Sequence, residues 1–136
     1  MTTHAHAIVW IDHHEARILH FNDHDVVCTY VRPNDRPVHL HHKANTIGSG
    51  RAPIDHDYHG RVAAALGDTC LFLIVGPSTA KSELAATLDE VGGPTIQARI
   101  AGVQPIDHPT DGELVAHARK FFKSYNRMHP LFSPAR

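Results

Sequence analysis

The amino-acid sequence predicts one α/β domain, a mixed β-sheet with helices packed on it. Three observations carry that reading. The first 31 residues hold three short runs rich in β-branched and apolar side chains, separated by polar pairs. After residue 55 the apolar period becomes helical and is interrupted by a run that is apolar on both faces. At 136 residues, 42% hydrophobic and 20% charged, the chain has material for one core and too little charge for disorder.

The elements follow in order. His6–Asp12 is apolar and β-branched, and the pair His13-His14 separates it from Glu15–Phe21, where Arg17 and His20 interrupt the apolar residues. A turn at Asn22-Asp23 leads into Asp25–Val31, which completes an antiparallel meander. From residue 32 to 54 no period is sustained, and the segment holds two prolines and the cluster His39-Leu40-His41-His42-Lys43. A structureless stretch of about 20 residues is uncommon in a compact domain and is usually functional or disordered, so function is placed in this loop.

Tyr58, Val62, Ala65 and Leu66 then fall on one helical face, which Gly67 ends. Thr69–Val75 reads as a central strand buried between helix layers. Gly76-Pro77-Ser78 makes a tight turn, with proline suited to a first helical position. Leu84, Ala85 and Leu88 stripe a second helix, closed by Gly92-Gly93-Pro94. Gln97–Val103 is a further strand. Thr110-Asp111-Gly112-Glu113 matches a capping box, and the third helix follows with Leu114, Ala118, Phe121, Phe122 and Tyr125 on its apolar side. The order β-β-β-loop-α-β-α-β-α is that of the ribonuclease H-like fold, in a single domain over residues 1–136.

Composition narrows the classes of function. No run of about 18 apolar residues exists, and Met1–Ala7 lacks the pattern of a signal peptide, so a cytoplasmic protein without a membrane span is expected. Cys28 and Cys70 sit singly in apolar runs and read as buried, reduced packing residues. The net charge of −1 hides an asymmetry. Residues 1–31 and 52–113 are acidic. Residues 32–51 carry four bases and one acid, and residues 114–136 carry five bases and no acid. Histidine is abundant, with 14 residues.

Four chemistries compete. A two-metal nuclease needs several carboxylates around divalent cations. Asp12 ends the first strand, but the central strand Thr69–Val75 supplies no acid, and Asp55, Asp57 and Asp111 also suit helix N-termini. His39, His41 and His42, with His56 and His59 at i, i+3, suggest metal coordination, set against solvated histidines. No cofactor is expected beyond weak, adventitious zinc. Ser49 stands between Gly48 and Gly50, but not in a nucleophile elbow. Gly76–Lys81 lacks phosphate-loop spacing. The basic segments remain: Lys43 and Arg51 flank the glycine-containing loop, and Arg119, Lys120, Lys123 and Arg127 line the last helix and the tail, 126–136. That distribution suits contact with phosphates at two places, set against solvated charge.

The hairpin Ile8–Ile18 resembles the opening of the middle domain of archaeal and eukaryotic class 1 peptide-chain release factors and of Pelota. The loop His41–Arg51 lies where release factors carry a Gly-Gly-Gln tip, and Ile74–Lys81 resembles their strand-turn-helix. The chain is also similar to small bacterial proteins labelled "translational machinery protein", which share the segment seen here as Ile106–Ala116. The resemblance covers about residues 6–127 and implies a translation-associated protein that binds the ribosome or tRNA, in rescue or hibernation, with no DNA partner. It implies RNA contacts for Lys43, Gly48, Ser49, Gly50 and Arg51, while Gly48-Ser49-Gly50 lacks the catalytic glutamine, so a non-catalytic protein is expected. The competing class is a histidine-rich metal-binding or structural protein without RNA. An exposed edge strand would permit a homo-oligomer.

Overall fold

The structure is a computed structural model and describes residues 6–33 and 55–128. In chain order it contains β1 (His6–Ile11), β2 (Ala16–Phe21), β3 (Val26–Val31), α1 (His56–Leu66), β4 (Leu71–Gly76), α2 (Ala80–Gln97), β5 (Ile100–Pro105) and α3 (Asp111–Met128). The strands form one sheet in the order β3-β2-β1-β4-β5. β1 pairs antiparallel with β2, and β2 with β3. β1 pairs in parallel with β4, and β4 with β5. This is the mixed sheet of the ribonuclease H-like fold, as the order of elements predicts.

The first two turns are built alike. Asp12 Oδ1 accepts the amides of His14 and Glu15 at 2.7 and 2.8 Å. Asn22 Oδ1 accepts those of His24 and Asp25 at 2.8 and 2.7 Å. Each side chain satisfies backbone donors that the strand ends would leave orphaned, which is why Asx residues start such turns.

Period-2 alternation sends β1 into two cores. Val9 and Ile11 pack with Ile18, Ile74, Tyr58, Val62, Leu84 and Leu88, beneath α1 and α2. Ile8 and Trp10 pack with Leu19, Leu73, Leu114, Ala118 and Phe122, beneath α3. β1 and β4 are therefore apolar on both faces because helices cover both. At the end of β4, a Cβ on Gly76 would run into the Ile11 carbonyl oxygen, so only glycine lets the two strand ends pass this closely.

The helix ends follow local chemistry. Asp55 caps α1 by accepting the Tyr58 amide at 3.0 Å, and Gly67 ends it at φ 58°. Around the start of α3, Thr110 Oγ1 accepts the Glu113 amide at 3.1 Å, and Glu113 Oε1 accepts the Thr110 amide at 2.9 Å. The capping box predicted there is closed in both directions.

Four expectations need correction. Gly93, at φ 60° and ψ −147°, kinks α2 where closure was predicted, and the helix resumes over Pro94–Gln97, so β5 begins at Ile100 and not Gln97. Pro94 needs no intrahelical donor at the start of that last turn. Pro77 is not a first helical residue, since α2 begins at Ala80. Cys70 precedes β4 and is exposed, and Cys28 is half-buried against the α3 side. His59 is not a surface residue: it is buried, with Nδ1 3.0 Å from Thr87 Oγ1.

Candidate nucleic-acid interface

α3 is amphipathic. Leu114, Val115, Ala118 and Phe122 face the sheet, while Arg119, Lys120, Lys123 and Arg127 are exposed. Arg119, Lys123 and Arg127 follow each other at i, i+4 and i+8, with Lys120 beside them, so the four predicted bases form one stripe. No acidic residue occurs from Leu114 to Met128. Among the described residues Lys120, Lys123 and Arg127 have no ion-pair or hydrogen-bond partner. Arg119 is anchored: Nη2 donates to the Asn22 carbonyl at 2.8 Å, and the guanidinium lies 5.9 Å from the Phe21 ring. It ties the helix to the β2–β3 turn.

Beside this stripe a hollow of about 370 Å³ is lined by His6, Phe21, Asn22, Asp23, Arg119, Phe122, Lys123 and Asn126. The His6 ring lies 4.5 Å from that of Phe122, and burial holds its pKa below the ordinary histidine value, against the opposing pull of Asp23. On the other side of α3, His117, Lys120, Phe121, Ser124, Tyr125 and Met128 line a second, apolar hollow. The Phe121 and Tyr125 rings stack there at 5.8 Å.

The opposite end of α3 is held by ions. Arg17 Nη1 donates to Asp111 Oδ1 at 2.8 Å and to the Pro109 carbonyl at 3.0 Å, with its guanidinium 4.6 Å from the Trp10 ring centre. Asp111 Oδ2 also accepts the Tyr30 hydroxyl at 2.7 Å. Trp10 Nε1 donates to the Asp107 carbonyl at 2.6 Å, and the His108 ring lies 5.1 Å from Trp10. The segment 106–111 thus wraps the end of the first hairpin and fixes where α3 starts.

The nuclease carboxylates are not assembled. Asp12 Oδ1 is engaged by two backbone amides, Asp55 caps α1, Asp57 pairs with Arg61 at 3.2 Å, and Asp111 is held by Arg17 and Tyr30. Among the described residues no group of three or more His, Cys, Asp or Glu side chains is arranged to hold a metal ion. Lys43, Gly48, Ser49, Gly50 and Arg51, and the histidines His39, His41 and His42, lie outside the described residues. No helix among the described residues is long and apolar enough to cross a membrane. Sequence reasoning missed His6, Asn22, Asp23 and Asn126. The Asn22-Asp23 turn was readable, but its approach to the second half of α3 depends on the sheet register.

No protein-family model matches the chain, and no curated protein matches it. Solved structures do. Archaeoglobus fulgidus Pelota superposes with a TM-score of 0.57 at 16% identity, over 85% of this chain and 30% of that one. Thermoplasma acidophilum Pelota gives 0.55 at 18%, over 82% of this chain and 30% of its own. The chain has the fold of one Pelota domain. It spans about a third of the length of either protein.

Proposed function

We propose that this protein is a non-catalytic, RNA-contacting factor of translation that binds the ribosome or tRNA through the α3 stripe. The carrying observation is that stripe: Arg119, Lys120, Lys123 and Arg127 exposed on one acid-free helix face of a nearly neutral chain. Cations so placed meet phosphates and are read as an electrostatic footprint. The Pelota-domain fold supports the assignment to translation. The hairpin and 106–116 resemblances support placing it among the small bacterial translational machinery proteins, acting in rescue or hibernation. In this reading the chain is one cytoplasmic domain over residues 1–136, needs no cofactor, and adds Lys43 and Arg51 as a second phosphate contact.

The test is co-sedimentation with 70S ribosomes from growing and from starved cells, beside filter-binding to tRNA across a salt series. The expected result is a bound fraction that falls steeply with salt and is larger with one ribosome population. A flat salt response, or no binding to either partner, rejects it. Structured RNA incubated with the protein and magnesium or manganese should stay intact, and turnover abolished by Asp12→Ala would make the protein a nuclease instead. Stoichiometric zinc in a tag-free sample, lost on His41→Ala or His42→Ala, would favour the metal-binding alternative.

A further inference from the structure

β3 is one edge of the sheet and β5 the other. The β5 edge is blunted: its pairing with β4 shifts register at Phe72/Leu73, and it ends in Pro105, which has no N–H to offer. β3 has neither device. Its pairing with β2 is regular from end to end, and Val26–Val31 contains no proline, glycine or charged residue. The fold leaves much of its apolar surface uncovered: Val26 is 41% exposed, Val27 50% and Tyr30 56%.

The hydrogen-bond alternation identifies the main-chain groups that lie outward. The Asn22 amide donates to the Asp25 carbonyl at 3.0 Å, so these two residues form a hydrogen-bonded pair. At steps of two residues the next such pairs are His20–Val27, Ile18–Thr29 and Ala16–Val31. Val27, Thr29 and Val31 therefore direct their main-chain groups to β2, and the N–H and C=O of Val26, Cys28 and Tyr30 point off the sheet. Among the described residues nothing meets them. Beyond β3 the chain turns toward α1, where Arg61 Nη2 donates to the Arg32 and Pro33 carbonyls at 2.6 and 2.7 Å.

We propose that the β3 edge pairs antiparallel with the β3 edge of a second copy of this chain, joining the two sheets into one. Charge selects that partner and that direction. Asp23 and Asp25 stand exposed before β3, and Arg32 stands after it, 3.5 Å from Glu15 with 65% of its side chain still exposed. Antiparallel copies set each acidic start beside the other's basic end, whereas parallel copies would align like charges. A two-fold axis through Cys28, perpendicular to the sheet, keeps α3 of both copies on one face. Val26 then lies opposite the second copy's Tyr30, an apolar–aromatic pair that the axis makes twice. The outward groups of Val26, Cys28 and Tyr30 form about six main-chain hydrogen bonds across the junction. In strand addition of this kind the main-chain bonds supply the affinity. One strand per copy is a small interface, so a reversible dimer at micromolar concentration is expected. The inference is independent of the RNA reading, since it needs neither the α3 stripe nor a nucleic acid.

The experiment pairs sedimentation velocity of the full chain over a concentration series with amide hydrogen exchange, read by NMR at the dilute and concentrated ends. A monomer–dimer equilibrium is expected. The Val26, Cys28 and Tyr30 amides should be protected only in the concentrated sample, and those of Val27, Thr29 and Val31 in both. Val26→Lys, at an exposed position, should keep the fold and weaken the dimer by about ten-fold, because the axis repeats each lost pair. If that variant fails to fold in thermal melts, the exchange pattern of the unsubstituted chain decides the matter. A monomer at every concentration overturns the proposal. So does a dimer in which exchange at Val26, Cys28 and Tyr30 is unchanged, since its contact lies elsewhere. Protection of those three amides in the dilute monomer overturns it too, because the chain itself then covers the edge.

Discussion

Arg17 on β2 and Asp111 at the start of α3 stand 94 positions apart in sequence and 2.8 Å apart in the fold. The Arg17 side chain is 11% exposed and Asp111 39%, so the pair closes a seam between sheet and helix and is not a surface ornament. Asp111→Ala removes the ion pair, the Tyr30 bond and a first-turn acid, and leaves the guanidinium short of a partner. A loss of about 2–3 kcal/mol is expected in urea denaturation, less than for a fully buried pair because Asp111 is partly solvated. Tyr30→Phe removes only a solvent-exposed hydroxyl, so it should lower the urea midpoint by less than Asp111→Ala does. Additive losses in an Arg17→Met, Asp111→Ala cycle would show that the two residues do not couple.

Acid should destabilise the protein in two limbs. Burial holds His6 and His59 below the ordinary histidine value of 6.5, so the folded state keeps them neutral. Their contribution is full above that value and is lost as pH falls through the folded values. The Tyr30 hydroxyl first, then Arg17, hold the Asp111 carboxyl below its ordinary 3.8, against partial burial. Its contribution is full above that value and disappears as pH drops through the folded one. Urea midpoints should therefore decline below pH 6.5 and again below about pH 4. His59→Asn should flatten the upper limb, and an unchanged slope there would remove His59 from the account.

Two glycines should answer alanine in opposite directions. At Gly76 the added methyl meets the Ile11 backbone, which cannot move aside, and a loss of about 3 kcal/mol is expected. At Gly60, inside α1, nothing among the described residues lies within 4 Å of an added Cβ, so alanine should stabilise by about 0.5–1 kcal/mol. Thermal melts of the two variants compare them directly. A neutral Gly76→Ala would mean that β1 and β4 separate at their ends at little cost.

Legibility tracked the range of the interaction. The strands and their polar turns could be read because β-branched runs, Asp12 and Asn22 act within a few residues. The reciprocal Thr110–Glu113 cap was readable for the same reason. The kink at Gly93 was visible as a break, but whether a chain resumes a helix after Gly-Pro depends on what it packs against. Cys70 misled because its apolar neighbours belong to β4 while it stands just outside. The basic stripe on α3 was legible from helical spacing alone. The hollow beside it was not, since His6, Asp23 and Asn126 are brought together by the β1–β2 register and by α3 running back across the sheet. Asp111 was readable as a helix-start acid, whereas its bond to Arg17 was not.

The two basic segments can be separated by their counterions. Each phosphate neutralised on a single strand contributes about 0.7 to the salt slope, and on duplex about 0.9. Lys120→Ala, Lys123→Ala and Arg127→Ala together remove three exposed charges that hold nothing else among the described residues. The fold should persist and the slope for tRNA should fall by roughly 2–3. Lys43→Ala with Arg51→Ala tests the other segment, where a fall of roughly 1.4–1.8 is expected if both meet phosphate. Arg119→Ala belongs in neither set. Its bond to the Asn22 carbonyl fastens α3 to the β2–β3 turn, so its loss should lower stability by about 1 kcal/mol as well as weaken binding. If α3 alone carries the contact, the triple variant loses nearly all of the slope and the double variant none. If both segments touch RNA, the two losses add. An unchanged slope in the triple variant would strip α3 of its role and leave the Lys43 and Arg51 segment as the binding surface.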